Sequence, residues 1–193
     1  MILPIVSYGN AILKSRARDI TADYPGLQAL ISDMFETMQS ASGVGLAAPQ
    51  VNLGIRLFVV DATPFADEDP RAKNFQKVFI NPRITERSGE DVLYEEGCLS
   101  FPGIREEVSR KSSIRITYQD AQFQSHDEVY DGIIARIIQH EYDHIEGLLI
   151  VDHLSSLRKM LLKRRLKELT LGQVKVAYRM IFPGQRRQAA TAN

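Results

Sequence analysis

The chain is poor in cysteine and carries no excess of charge. One cysteine among 193 residues cannot form an internal disulfide, which favours a reducing, intracellular setting. The 24 lysines and arginines are matched by 24 aspartates and glutamates, so the net charge indicates neither a nucleic acid nor a membrane as partner. No apolar run approaches the roughly 20 residues that span a bilayer. We therefore expect a cytoplasmic protein without membrane contact or a direct role on nucleic acids.

The length and composition predict one globular domain. Hydrophobic residues make up 44% of the chain and charged residues 25%, which are ordinary values for a globular protein. A chain of 193 residues is long enough to bury a sizeable core. The last residues show no periodic pattern. We expect residues 1–182 to form the domain and residues 183–193 to be a flexible tail.

The hydrophobic pattern of the first two thirds predicts one helix followed by strands. Residues 25–41 repeat apolar side chains at intervals of three and four, as an amphipathic helix does. Short buried strands are predicted at 56–60 and at 77–80, the second closed by an Asn-Pro pair. Apolar and polar residues alternate over much of 84–130, which favours an antiparallel sheet.

The last third predicts two more helices. One runs from Asp131 to Gly147 and is apolar on nearly all sides, so it should be buried in the centre of the fold. Another, at 155–169, carries Leu157, Met160, Leu161 and Leu169 among many basic residues. A final strand is predicted at 174–182. The expected fold is therefore α+β, with antiparallel sheets around a central helix and a helix near the C-terminus.

The segment HEYDH at 140–144 is the strongest chemical signal. Residues four apart lie on one face of a helix, so His140 and His144 can direct both imidazoles at one metal ion. Glu141 lies beside that face and can reach a water molecule on the metal without being a ligand. An ordinary helix is the alternative, but the spacing favours a metal-dependent hydrolase.

A catalytic site of this kind needs a third protein ligand. The metzincin pattern would require a histidine at the position of Ile150, which cannot bind metal. Glu168 is available for a thermolysin-like site, although its basic surroundings suggest a solvated helix face. His126 and His153 are better interpreted as surface histidines. Cys98 is the remaining candidate: a lone cysteine is usually a small buried hydrophobe, but a thiolate would complete a two-histidine site.

A glycine-rich segment, GVGLAAPQ at 43–50, is the third signal. Its spacing partly fits the dinucleotide-binding fingerprint, but it follows a helix where that motif requires a strand, and Pro49 interrupts the next helix. We interpret it as a loop whose backbone approaches a ligand around Val44 and Gly45. Gln50 ends the loop with an amide that can donate a hydrogen bond.

Together, GVGLAAPQ at 43–50, EGCLS at 96–100 and QHEYDH at 139–144 resemble the three signature motifs of the peptide deformylase family, in the same order and with similar separations. The likeness extends over about residues 1–182. It implies an α+β fold with antiparallel sheets around the helix that carries the two histidines. It also implies removal of the formyl group from the N-terminal methionine of nascent polypeptides, so the expected partners are N-formylmethionyl peptides.

The resemblance also implies a role for each motif residue. The implied metal ligands are Cys98, His140 and His144. They would hold one divalent ion, ferrous iron in the cell, replaceable by zinc, nickel or cobalt, although ligand preference alone suits zinc. Glu141 would be the general acid and base, with a water molecule on the metal as nucleophile. The Gln50 side chain and the Leu99 backbone N–H would donate hydrogen bonds to the oxyanion.

Further residues are predicted around the metal. Ile133 and Ile137 precede the first motif histidine by two turns and by one turn, so they should line an apolar pocket, serve as core, or do both. An unbranched methionine side chain would suit such a pocket. By motif position, Arg105 is expected on the substrate side and Glu96 behind a ligand. Asp143 either orients a ligand or is a surface carboxylate.

Two other functions stay open at the level of sequence. A zinc endopeptidase would use Glu168 as the third ligand. The basic residues of 158–167 would suit a module that binds nucleic acid or the ribosome, although a solvated helix face also explains them. Docking on the ribosome is compatible with deformylation, because an enzyme that acts on nascent chains benefits from being near them.

Overall fold

A computed structural model describes residues 1–183, so the predicted tail at 183–193 lies outside the described residues apart from Pro183. The α-helices within them are α1 (Leu27–Ser40), α2 (Gly132–Glu146) and α3 (Ser156–Thr170). The strands are β1 (Ile5–Val6), β2 (Gly45–Ala47), β3 (Leu57–Asp61), β4 (Gln76–Gly97), β5 (Arg105–Gln119), β6 (Ser125–Asp131) and β7 (Met180–Ile181). Short 3₁₀ helices occur at Ala11–Lys14, Ala48–Val51, Thr63–Phe65, Pro70–Ala72 and Ile150–His153.

A five-stranded antiparallel sheet is the framework of the fold. Its strands lie in the order β2-β3-β4-β5-β6, and each neighbouring pair is antiparallel. The alternation of side chains predicted this pairing, because antiparallel strands commonly have one face packed and the other in water. β3 is buried along its whole length. The predicted antiparallel α+β fold is confirmed.

α2 is the central helix that the sequence predicted. It contacts β2, β3, β5 and β6, and side chains around it, such as Ile134, Ile138 and Ile145, are buried. Because the helix is enclosed, its polar side chains are also removed from water. Gly147 ends it with a φ of +78°, and a Cβ there would lie 2.8 Å from the carbonyl oxygen of Lys14. Glycine is therefore required at this helix end.

The two ends of the described chain meet in a second, two-stranded sheet. β1 and β7 pair in parallel, an arrangement that the sequence did not indicate. The predicted strand at 174–182 is wrong in extent, because only two residues of it form β7. β1 is equally short, since the chain turns at Tyr8 and Gly9.

β4 continues through a point where the sequence predicted an end. The Asn81-Pro82 pair was expected to close a strand at 77–80, but β4 runs for 22 residues. Its pairing with β5 shifts register at this point, and Asn81 takes a φ of +50°. The pair therefore forms an irregularity inside the strand, of the kind a β-bulge produces. Hydrogen bonds between the Asn81 side chain and the backbone of Ile20 hold it in place.

The predicted helix near the C-terminus is present as α3, but the apolar face expected for it is mostly exposed. Leu162 and Leu169 are buried, whereas Leu157, Met160 and Leu161 are all exposed. The two buried leucines are seven positions apart and so share one narrow stripe of the helix. Neither α3 nor any other helix within residues 1–183 has the length and apolar character of a membrane span.

Candidate metal centre

Three side chains from two parts of the fold meet beside α2. The rings of His140 and His144, one turn apart on this helix, have centroids 5.1 Å apart. Cys98 follows directly after β4, and its Sγ lies 3.2 Å from Nε2 of His144. One ligand atom from each of the three residues lies within 4.8 Å of the other two. This cluster can hold a metal ion, and a thiolate with two imidazoles suits a transition metal.

The protonation of the two histidines fits a cation between the three donors. Burial lowers the pKa of His144 to about 3, so its imidazole is neutral, as a ligand must be. Burial acts in the same direction on His140, but hydrogen bonding to Cys98 and Glu96 outweighs it and raises the pKa of His140. A bound cation would replace the proton that His140 otherwise holds.

Glu96 supports the cluster from behind. Its Oε2 lies 2.9 Å from Nδ1 of His140, which leaves Nε2 of that ring to face the cluster. Arg110 and Arg136 each donate a hydrogen bond to Glu96 Oε1 at 2.7 Å. Burial alone would raise the pKa of Glu96, but hydrogen bonds from His140 and Arg110 hold it well below its usual value. Glu96 therefore lies where a residue that supports a ligand is expected.

Asp143 lies further out in the same buried network. Its Oδ2 accepts a hydrogen bond from Arg110 at 2.7 Å and lies 2.7 Å from Nε2 of His153. The side chain is buried, so the expectation of a surface carboxylate is wrong. Its connection to the cluster runs through Arg110. His126 lies 2.8 Å from Asp120, so both histidines outside the cluster have a carboxylate partner of their own.

Glu141 is buried beside the cluster with one carboxylate oxygen unpaired. Only 4% of the residue is exposed, and Oε2 has no hydrogen-bond partner among the described residues. Burial raises the pKa of Glu141 to about 7. A carboxyl group with such a pKa can both accept and donate a proton near neutrality.

The glycine-rich segment packs directly against this carboxylate. A Cβ at Gly45 would lie 2.6 Å from Cδ of Glu141, so only glycine leaves room for the side chain. Gln50 is held in one orientation because its Oε1 accepts a hydrogen bond from the Ala47 N–H at 2.8 Å. Its Nε2 consequently lies 3.6 Å from Cys98 Sγ. The amide donor therefore faces the cluster.

The turn that follows β4 presents a backbone donor to the same space. The Phe101 N–H donates to the Cys98 carbonyl oxygen at 2.8 Å, whereas the Leu99 N–H has no acceptor within residues 1–183. Tyr178 donates its hydroxyl to the Leu99 carbonyl oxygen at 2.7 Å, and burial raises the pKa of Tyr178 to about 12. Sequence reasoning missed Tyr178, because it lies 79 positions from Leu99 and belongs to no motif.

A cavity of about 500 Å³ opens onto the cluster. Its wall includes the five residues expected on the substrate side: Val44, Gly45, Arg105, Ile133 and Ile137. Ile137 is also a buried member of the main core, so it combines the two alternatives considered for it. Arg105 is exposed at the rim and forms an ion pair with Glu95 at 2.6 Å.

Glu168, the alternative third ligand, lies outside both the cluster and the cavity wall. Its Oε1 accepts a hydrogen bond from Nε of Arg164, one turn earlier on α3, at 2.9 Å. This is the solvated ion pair of an exposed helix. The geometry does not bring Glu168 to the two histidines.

The chain is similar in sequence to known deformylases. A family model described as polypeptide deformylase matches residues 2–160. The chain is 49% identical to the peptide deformylase of Christiangramia forsetii, over 97% of this chain and 99% of that one. It is 51% identical to the peptide deformylase of Cytophaga hutchinsonii, over 95% of this chain and 98% of that one.

Solved structures show the same fold. The crystal structure of a peptide deformylase from Legionella pneumophila superposes with a TM-score of 0.78 at 36% identity, covering 90% of this chain and 98% of that one. The peptide deformylase of Thermotoga maritima gives 0.73 at 39%, covering 80% and 99%. The fold and the relatives define an enzyme, a hydrolase with a candidate metal centre. The chain belongs to the polypeptide deformylase family, whose reaction is the removal of N-formyl groups from nascent peptides.

We expect Gly45→Ala to lower kcat for a formyl-Met peptide by about 10-fold or more, because the new methyl group would displace the Glu141 carboxylate. Formate release and metal content are measured on the same sample, and metal content should not change. Gly54→Ala is the matched control, since a Cβ there meets nothing within 4 Å. An unchanged kcat in Gly45→Ala would show that the position of the carboxylate does not limit the reaction.

Proposed function

We propose that this protein removes the N-formyl group from the N-terminal methionine of nascent polypeptides and releases formate. The observation that carries the proposal is the buried carboxylate of Glu141, one oxygen of which has no hydrogen-bond partner among the described residues, beside the cluster of Cys98, His140 and His144. The direct test is formate release from a formyl-Met dipeptide, assayed anaerobically with metal analysis on the same sample. A metal-loaded protein that releases no formate would refute the proposal.

The proposed cofactor is one divalent metal ion. Its ligands are Cys98, His140 and His144. The ion is ferrous iron in the cell, and zinc, nickel or cobalt can replace it, because imidazole and thiolate ligands accept each of these metals. When bound, the ion lowers the pKa of a water molecule to about 7 and so makes hydroxide available at neutral pH. The neutral His144 imidazole and the hydrogen bond between His140 and Glu96 support this ligand set.

Glu141 is the proposed proton carrier. Its carboxylate accepts a proton from the attacking water and later delivers it to the amine nitrogen of the leaving methionine. The Oε2 atom supports this role, since no hydrogen bond from residues 1–183 fixes it elsewhere. Because Gly45 has no side chain, the Glu141 carboxylate fits beside the cluster, and the close contact with Gly45 restricts where that carboxylate can lie.

Two donors are proposed to stabilise the oxyanion that forms when the formyl carbon is attacked. One is Nε2 of Gln50, which faces the cluster because Oε1 is already engaged by the Ala47 N–H. The other is the Leu99 N–H, which lacks an acceptor within the described residues. Loss of one such donor costs about 3 kcal/mol of transition-state stabilisation.

The cavity beside the cluster is the proposed site for the methionine side chain. Ile133, Ile137 and Val44 form apolar wall, and an unbranched thioether adapts to an irregular apolar space. Gly45 brings backbone close to the ligand, and Arg105 stands at the rim, where the peptide beyond methionine would pass. Preference for methionine therefore rests on apolar contact.

Glu141→Gln should keep its metal and lower kcat by about 100-fold or more, because the amide has the same shape but cannot carry a proton. The measurement is formate release with metal analysis. Glu146→Gln, a change of the same kind on the same helix, serves as control and should retain activity. A Glu141→Gln protein as active as the wild type would remove Glu141 from proton transfer.

Metal content separates the deformylase site from that of a zinc endopeptidase. We expect Cys98→Ser to lose most of its metal, because a neutral hydroxyl replaces the thiolate. Glu168→Gln should bind metal as the wild type does, since Glu168 lies outside the cluster. Metal is measured after dialysis of each purified protein against buffer. The reverse result would favour the endopeptidase.

α3 is proposed to dock the enzyme on the ribosome. Lys163 and Lys167 are exposed, on the same helix as the exposed Leu157, Met160 and Leu161. A basic surface with apolar side chains suits a partner that offers both phosphate groups and protein. Arg158 and Arg164 are less available, because they pair with Glu106 and Glu168.

Lys163→Glu and Lys167→Glu should each weaken co-sedimentation with ribosomes several-fold at low salt, and less as screening increases. Hydrolysis of a formyl-Met dipeptide should stay unchanged in both. Lys73→Glu, a charge reversal at another exposed position, is the control. Binding that is indifferent to reversal on α3 would refute docking through this helix.

The same proposal treats residues 1–182 as one catalytic unit, because the pairing of β1 with β7 joins both ends of that span. It also assigns the enzyme to the cytoplasm, where formylated nascent chains arise. The family match ends at residue 160. The residues beyond it that the structure describes include most of α3 and all of β7.

A further inference from the structure

The segment between α3 and β7 returns to the turn that carries the Leu99 donor. Tyr178 lies in this segment, beyond the residues 2–160 that the family model matches. Its hydroxyl donates to the Leu99 carbonyl oxygen at 2.7 Å, and its side chain is part of the wall of the catalytic cavity. A residue from the far end of the described chain therefore touches the backbone on which the proposed oxyanion donor sits.

Three successive carbonyl groups of this turn are each tied by one hydrogen bond. The Cys98 carbonyl accepts from the Phe101 N–H at 2.8 Å, and the Ser100 carbonyl accepts from the Tyr8 N–H at 2.9 Å. The Leu99 carbonyl between them accepts from Tyr178. The first and third of these bonds come from the backbone. The middle one alone depends on a side chain.

These bonds decide where the Leu99 N–H points. A peptide group is planar and trans, so its N–H is directed opposite to its C=O. The Phe101 bond fixes the carbonyl of the Cys98–Leu99 peptide and thereby aims the Leu99 N–H away from the turn. The Tyr178 bond fixes the next peptide plane and so restrains the rotation of Leu99 about its own backbone bonds.

Backbone pairing next to Tyr178 holds this residue in place. Two residues after it, β7 pairs with β1, and the Ile5 N–H donates to the carbonyl oxygen of Arg179 at 2.9 Å. β1, the partner of β7, is followed two residues later by Tyr8, whose N–H donates to the Ser100 carbonyl oxygen. The small parallel sheet therefore positions both Tyr178 and Tyr8 against the turn.

We propose that Tyr178 is a positioning residue for deformylation. Its hydroxyl holds the Leu99 carbonyl group and so restrains the backbone of Leu99, which keeps the Leu99 N–H directed at the developing oxyanion. The proposal rests on the function proposed above. It makes the segment after α3 part of the catalytic apparatus, although this segment contributes no atom that reacts.

The test is Tyr178→Phe, which removes one oxygen atom and keeps the ring. We expect kcat for a formyl-Met peptide to fall about 5- to 10-fold, because a looser donor stabilises the oxyanion less. KM and metal content should not change. Tyr24→Phe is the matched control: Tyr24 is half-buried against the core, and among the described residues it belongs neither to the cavity wall nor to the metal cluster.

Hydrogen exchange provides a second readout that does not depend on turnover. In Tyr178→Phe, the amides of Phe101 and Ile104, which close the turn at 2.8 Å and 3.0 Å, should exchange faster than in the wild type. Tyr24→Phe should leave them unchanged. Faster exchange together with a lower kcat supports the proposal.

Four results would overturn it: an unchanged kcat, unchanged exchange, a change confined to KM, or a loss of activity that follows loss of metal. The last two would mean that Tyr178 only lines the cavity or only stabilises the fold. Failure of the proposed function is distinguishable, because it appears as a metal-loaded wild-type protein that releases no formate. The exchange comparison still reports on the turn in that case.

Discussion

The buried ion network around Glu96 is the interaction on which the centre depends. It joins the end of β4, through Glu96, to Arg110 on β5 and to His140 on α2. Removing a charge from water costs several kcal/mol unless partners replace the solvent. Here the carboxylate accepts hydrogen bonds from two guanidinium groups and one imidazole, so the three elements can meet only in the arrangement that satisfies all of them. The candidate ligands lie where these elements converge.

Burial also leaves a few polar side-chain atoms without a hydrogen-bond partner, and most of these atoms lie at the candidate metal centre. Among residues 1–183, the buried side-chain atoms that lack a hydrogen bond are Arg56 Nε, Glu141 Oε2 and His144 Nδ1. Most proteins satisfy nearly every such atom. Two of these three atoms belong to residues of α2. The fold thus pairs Glu96 with several donors and leaves one oxygen of Glu141 available for the proposed proton transfer.

The pairing of β1 with β7 helps to restrain the turn at Cys98. The turn carries one candidate ligand and one candidate backbone donor. It is held by Tyr8, which follows β1, and by Tyr178, which precedes β7. Such a turn would otherwise be free to move, because loops have few internal contacts. Stability of the terminal sheet and geometry of the site are therefore linked.

The sequence by itself determined the elements whose signals are local. α1, α2 and the antiparallel pairing follow from periodicity, and the spacing of His140 and His144 places them on one helix face. It left the third donor open, since Cys98 and Glu168 are both able to bind zinc and only the course of β4 brings one of them to α2. Tertiary structure alone decided three other features. These are the contact between Tyr178 and Leu99, the continuation of β4 past Asn81 and the exposure of one face of α3. Each depends on contacts between distant segments, and no periodicity or spacing within a single segment records such contacts.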